Sequence, residues 1–120
     1  MSEVKNDCIV PITSFTPIQG PIGTVITAIV PSQEVIVDPD GYSIVGTFTG
    51  EGGTSFTADA DVLDWKKCTK FSITVPENLE KGHLYSFKIK FTVLYEDSKG
   101  GTYSETFVFE SASPFLVTLV

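Results

Sequence analysis

The sequence predicts an all-β domain, a sandwich of seven to nine short antiparallel strands. The chain is rich in residue types that favour strands, with nine Phe and four Tyr in 120 residues. Apolar and polar residues alternate along several segments, as they do in half-buried strands. Gly- and Pro-rich turns separate these segments at short intervals, a pattern typical of sandwiches and barrels.

The strands predicted in the first half are short and bounded by turn formers. The turn signal "DPDG" separates two of them, and "EGG" precedes another. The predicted strands are residues 8–15, an edge strand interrupted by Pro11, then 23–30, 33–37, 42–50 and 54–58.

The second half of the chain contains the clearest alternation of apolar and polar residues. In "HLYSFKIKFTVLYE" (83–96) every second residue from Tyr85 to Tyr95 is apolar, which predicts a long strand with one buried face. "DSKGG" then predicts a hairpin loop into "TYSETFVFE" (102–110). Upstream, "KFSITVP" predicts a strand that ends at Pro76, because proline cannot donate to a strand ladder. The buried residues expected from this pairing include Phe87, Ile89, Phe91, Phe107 and Phe109.

We expect residues 1–120 to form one domain, with residues 1–7 flexible, because this length suits a single core. No apolar run approaches the ~20 residues that span a bilayer, and no signal peptide is visible. The location stays open: an intracellular protein, a virion protein, or an exported chain whose leader was removed.

The charge is acidic and uneven. The net charge is −7, no Arg occurs, and residues 6–65 carry eight acids and no Lys. A nucleic-acid-binding face needs clustered basic residues, and anionic membranes attract them too. The composition therefore disfavours nucleic-acid partners and anionic membrane surfaces, and no membrane insertion is expected.

Cys8 and Cys68 are the two cysteines, too few for a disulfide scaffold and too widely spaced for a zinc motif. Free buried thiols are the first interpretation. A single bridge that fixes the first strand is the alternative if the protein is exported.

The stretch "PITSFTPIQGPIGTVIT" (11–27) resembles the start of IPT/TIG domains, immunoglobulin-like modules of the E-set group. Its proline and glycine pairs would build a compact loop between the first two strands. The residues that match the family pattern are Pro11, Ile12, Ser14, Pro17, Gly20, Pro21, Gly23, Val25 and Thr27.

Two later stretches are also similar to this family. "FSITVPENLEKGHLYSFKI" (71–89) resembles its late strands, and "GGTYSETFVFE" (100–110) resembles its closing strand, whereas residues 31–66 match no part of the pattern. The resemblance implies an immunoglobulin-like sandwich. It also implies roles such as adhesion and receptor ectodomains, linkers beside glycan-active enzymes, or dimerising parts of transcription factors, none with catalytic residues.

We expect no catalytic residues, cofactor or metal. His83, the only histidine, follows Gly82 at a strand start, which predicts a loop or surface position. Asp59, Asp61 and Asp64 are the residues considered for calcium, since hard cations bind clustered carboxylates, but acidic loops often look the same.

Trp65 follows these aspartates and has two interpretations. It either packs in the core or forms a stacking platform for a sugar, with Asp59, Asp61 or Asp64 accepting hydroxyl hydrogens. The function expected is therefore a non-enzymatic interaction or structural module, making protein–protein contacts in a surface, adhesion or virion assembly. A carbohydrate-binding module with an exposed aromatic platform is the alternative, and its partner would be a glycan.

The tail "SPFLVTLV" is apolar on both faces if extended. Phe115, Val117 and Leu119 would share one face, and Leu116 lies on the other. The tail either completes the chain's own sheet or docks on a partner or second copy as an added strand.

Overall fold

The structure, a computed structural model, describes residues 8–31, 41–64, 69–96 and 99–119. Within these ranges the chain forms eleven strands and no helix, so the all-β prediction is confirmed. The strands are β1 (Cys8–Pro11), β2 (Ser14–Thr16), β3 (Gln19–Gly20), β4 (Val25–Ile29), β5 (Gly41–Gly50), β6 (Ser55–Ala58), β7 (Ala60–Val62), β8 (Lys70–Thr74), β9 (Leu84–Glu96), β10 (Thr102–Glu110) and β11 (Phe115–Val117).

Several sequence predictions fall on other parts of the chain. The strand at 33–37, the flexible segment 1–7, Trp65 and Cys68 lie outside the described residues. Across the described ranges, no helix has the length and hydropathy needed to cross a bilayer.

The strands form two sheets. In the larger sheet β9 is central: β5 pairs with one edge of β9, β10 and then β11 pair with the other, β6 pairs with β5, and β1 and β3 pair with β10 and β11. The smaller sheet has the order β2-β4-β8-β7.

The sheets are mixed, and there are more strands than predicted. β1 pairs with β10 in parallel, and β3 pairs with β11 in parallel, so the prediction of purely antiparallel strands is wrong at this edge. The count exceeds seven to nine because residues 8–15, predicted as one strand, form β1 and β2, and because β3 and β7 were not predicted. β10 and the tail strand β11 follow each other along the same edge of β9: Glu110 pairs with Lys88, and Phe115 pairs with Tyr85.

The chain passes from one sheet to the other between β1 and β2, and again between β6 and β7, and this separates the strands of each pair. The amide of Ile12 donates to the Glu110 carbonyl in the larger sheet, and the next amide, of Thr13, donates to the Ile29 carbonyl in the smaller sheet, both at 2.8 Å. The switch follows Pro11, whose nitrogen has no hydrogen to donate. On the opposite side, β6 lies in the larger sheet and β7 in the smaller, with Asp59 between them.

The Pro- and Gly-rich stretch after β2 forms a loop that contributes a strand of its own. The hydroxyl of Thr24 donates to the Pro21 carbonyl at 2.6 Å, which closes a turn. The amide of Gly23 donates to the Val75 carbonyl at 3.0 Å and ties this turn to the residue that follows β8. Within the loop, β3 pairs with the tail strand β11.

The buried faces of the two sheets contact each other through aromatic rings. Phe15 of the smaller sheet lies 4.9 Å from Phe87 of the larger, and Phe71 lies 5.3 Å from Phe91 and 4.8 Å from Phe109, measured between ring centroids. Alternate residues of β9 are buried from Tyr85 to Tyr95. The five residues predicted for this core are all buried, which confirms the predicted facing.

Gly46 allows the sheets to approach closely. A Cβ atom there would lie 2.6 Å from Ile73 Cδ1 and 3.0 Å from the carbonyl oxygen of Ala58. The side chain of Ile73 can rotate, but the carbonyl belongs to the paired strand β6 and cannot move alone. A methyl group at Gly46 therefore forces the strands apart.

We expect Gly46→Ala to lower the free energy of unfolding by about 1–3 kcal/mol, the usual cost of overpacking a core. Gly52→Ala is the matched control, because a Cβ there meets no atom within 4 Å, and it should change stability by less than about 0.5 kcal/mol. Urea denaturation of both variants measures the difference. Equal stability of the two variants would contradict the close approach at Gly46.

Candidate functional site

The residues predicted for ligand binding are only partly described. Trp65 lies outside the described residues, so the choice between core and platform stays open. Asp59 and Asp61 are exposed, and Asp64 is half-buried. Asp61 accepts a hydrogen bond from the Val62 amide at 2.8 Å, and Asp64 accepts one from the Thr69 hydroxyl at 3.2 Å.

These contacts connect the carboxylates to their own chain. Among the described residues, no group of three His, Cys, Asp or Glu side chains is arranged to hold a metal ion. The structure thus gives Asp61 and Asp64 local contacts in and after β7, whereas Asp59 is exposed between β6 and β7.

Calcium should leave the melting temperature unchanged, and so should EDTA. A ligand that binds only the native state must raise that temperature, so thermal unfolding with and without calcium is a sensitive measurement. The control is the double variant Asp59→Asn, Asp61→Asn. An increase with calcium that this variant loses would establish a site at these aspartates.

The predicted interaction strand forms β11 within the larger sheet. Phe115 and Val117 are fully buried, Leu116 is half-buried, and Leu119 is 70% exposed. β11 lies between β9 and β3, and its amides donate on both sides: Leu116 to the Ile18 carbonyl and Val117 to the His83 carbonyl. Addition of a partner strand at β11 would first require the release of one of these neighbours.

Phe115→Ala should cost about 3–5 kcal/mol of stability, as truncations of buried aromatic residues do. Leu119→Ala serves as the control from the same tail and should cost less than about 0.5 kcal/mol, because Leu119 is exposed. Denaturation gives the stabilities, and light scattering gives the mass. A folded Phe115→Ala variant with unchanged stability and a smaller mass would instead assign this strand to a subunit interface.

A cleft of about 500 Å³ opens where the β5–β6 turn meets the loop that leads into β9. We call it the loop-end cleft. Its lining combines glycine backbone, two aromatic rings and several polar side chains. The lining residues are Gly50, Glu51, Gly52, Thr54, Phe56, Asn78, Glu80, His83, Leu84 and Tyr85.

Strand register brings the two walls of the cleft together. Gly50, the last residue of β5, pairs with Tyr85 near the start of β9. A Cβ at Gly50 would lie 3.0 Å from Cε2 of Tyr85, so a larger residue there would push the ring a few tenths of an ångström away from the backbone. The ring of Phe56 meets Tyr85 edge-on, with 6.3 Å between centroids and 78° between planes.

Hydrogen bonds fix the wall of the cleft that is formed by the loop before β9. The Tyr85 hydroxyl accepts from the Glu80 amide at 2.8 Å. The Gly82 amide donates to the Val117 carbonyl at 2.6 Å, and the Val117 amide donates to the His83 carbonyl at 3.0 Å. The loop before β9 is therefore held by the buried tail strand, and the cleft depends on β11 for its shape.

The polar side chains of the cleft are accessible. Glu51, Asn78 and Glu80 are exposed, and Nε2 of His83 lies 3.6 Å from Oε1 of Glu80, with 60% and 77% of the two side chains exposed. The surface position predicted for His83 is confirmed. Such open carboxylates and amides can accept or donate hydrogen bonds to a ligand without first losing a buried partner.

Sequence reasoning missed this cleft. "GEGG" (50–53) and "ENLEKGH" (77–83) were recognisable as turns, but 23 residues separate them, and only the β5–β9 register places them side by side. A smaller cleft of about 220 Å³ lies where β1 passes into β2, and none of its lining side chains is ionisable. The loop-end cleft is thus the better equipped of the two for polar recognition.

The chain matches no protein-family model and no curated protein sequence. The IPT/TIG resemblance therefore depends on the motif residues themselves.

Proposed function

We propose that the chain is an immunoglobulin-like sandwich of the IPT/TIG type, and that it acts as a non-enzymatic module for protein–protein contact. The strand order supports the fold. Taken in chain order from β2, omitting β3, the smaller sheet has the arrangement A-B-E-D and the larger sheet contains C′-C-F-G, as in immunoglobulin domains. The motif residues Pro11 and Ser14 flank the switch of the first strand between sheets.

The edge strands of the two sheets are short, which favours contact with a protein partner through loops over addition of a partner strand. The outer strands β1, β2, β6 and β7 have four, three, four and three residues, because the chain changes sheets on both sides. A short edge offers few backbone groups to an incoming strand. Binding surfaces on such scaffolds lie instead in the loops at the sheet ends.

The loop-end cleft is the observation that carries this proposal. Its volume lies within the range of protein ligand sites, ~300–1,000 Å³. Exposed Glu51, Asn78 and Glu80 surround aromatic rings that are fixed by backbone contacts, so the polar rim and the apolar floor occur together. This combination suits a docking site for a partner in a surface, adhesion or virion assembly.

A carbohydrate-binding module is the second candidate, and the partly exposed ring of Phe56 in the cleft favours it. Sugars pack their apolar faces on aromatic rings and bind carboxylates and amides through hydroxyl groups. Phe56 is half-buried, so part of its ring is accessible. In this alternative the ligand is a glycan, and Trp65 remains a candidate platform outside the described residues.

Site-specific photo-crosslinking in cells that express the full chain tests the proposal. We expect p-benzoylphenylalanine at Asn78, on the cleft, to give a covalent protein adduct. The same label at exposed Ser43, seven residues before the end of β5, should give none. Adducts from Ser43 alone, or equally from both positions, would contradict binding at the cleft. No protein adduct together with binding on a glycan array would favour the carbohydrate alternative.

A further inference from the structure

We infer that the loop-end cleft binds a basic side chain of its protein partner, arginine in preference to lysine. This inference rests on the proposed function and specifies the chemistry that the partner presents. The cleft brings together two carboxylates, the partly exposed ring of Phe56 and the imidazole of His83, which lies 3.6 Å from Glu80, and no lysine is among its lining residues.

The charges of the cleft favour a cation. Glu51 and Glu80 are both exposed and line the cleft from opposite loops. Lys81 belongs to one of these loops but is not among the lining residues. The whole chain has a net charge of −7. Its long-range electrostatic attraction for positive charge raises the encounter rate with a basic partner.

The aromatic wall adds a second reason for a cation. Tyr85 is buried, its hydroxyl accepts from the Glu80 amide and its ring lies against the Gly50 backbone, so it forms a fixed and mostly covered part of the wall. Phe56, edge-on to Tyr85, is half-buried and leaves part of its ring accessible. Cations are attracted to the faces of such rings.

Arginine fits this set of groups better than lysine. Its planar guanidinium can stack on a ring while its N–H groups bind a carboxylate in pairs. An ammonium group satisfies the charge but cannot stack in this way, so it should bind more weakly.

The test follows amide signals of the ¹⁵N-labelled full chain by NMR at low salt. The probe is Nα-acetyl-arginine methylamide, the lysine analogue provides the comparison, and the citrulline analogue is the neutral control of the same shape. We expect arginine to shift the amides of Gly50, Gly52 and Glu80 saturably, lysine to shift them more weakly, and citrulline to leave them unchanged. Added salt should reverse the shifts, because exposed charges are screened.

Variants identify the groups responsible. Glu51→Gln and Glu80→Gln should each weaken arginine binding about two- to fivefold, the range for exposed charge pairs. Glu105→Gln is the matched control: it removes one exposed charge from β10 without touching the cleft and should leave affinity unchanged. Spectra that overlay outside the cleft show that each variant is folded.

Three outcomes would overturn the inference. Equal shifts with citrulline would show that charge is not recognised, and shifts with maltose or cellobiose but not arginine would assign the cleft to sugars. The first of these outcomes leaves the cleft as a binding site for a neutral group of a protein partner, whereas the second supports the carbohydrate-binding alternative over protein contact. No shift of the cleft amides with any probe rejects the basic ligand, and the crosslinking result then decides the wider proposal separately.

Discussion

The rest of the structure depends on one constraint: a single long strand, β9, must bury one face and pair along both edges. Its thirteen residues place six alternate side chains inward, from Tyr85 to Tyr95, and all six are buried. One edge is paired with β5 and the other with β10 and β11. All the remaining strands of the larger sheet pair with β9 either directly or through a neighbour. The register of β9 with these strands therefore also places the loops at both ends of the sheet.

The central role of β9 explains how much of the fold could be predicted from the sequence. The strict alternation from Tyr85 to Tyr95 is a local pattern, so the strand, its buried face and the β9–β10 hairpin were all predicted from residues close in sequence. Pro76 and Pro11 likewise act on their own neighbours, and strand ends occur at or near both. Features set within a few residues were therefore accessible to sequence reasoning.

Long-range features were not accessible in this way. Whether Cys8–Pro11 pairs in parallel with β10 depends on groups almost a hundred residues away, and nothing in "CIVP" encodes a direction. The cleft needs Gly50 opposite Tyr85, which is a property of the register and not of either loop. Trp65 and the aspartates stand out by residue type and spacing alone, whereas Phe56 and Glu80 become candidate binding residues only through the neighbours that the fold gives them.

The parallel pairing of β1 with β10, and of β3 with β11, has a mechanical consequence. Since β1 runs parallel to β10, and β10 and β11 both run antiparallel to β9, the chain enters this edge beside Phe91, in the middle of β9, and leaves beyond Leu84, at its start. Tension applied through the residues before β1 and after β11 acts along the strands and slides them past each other. The ladder bonds then share the load in shear instead of opening one after another, so this edge resists a pull along its strands.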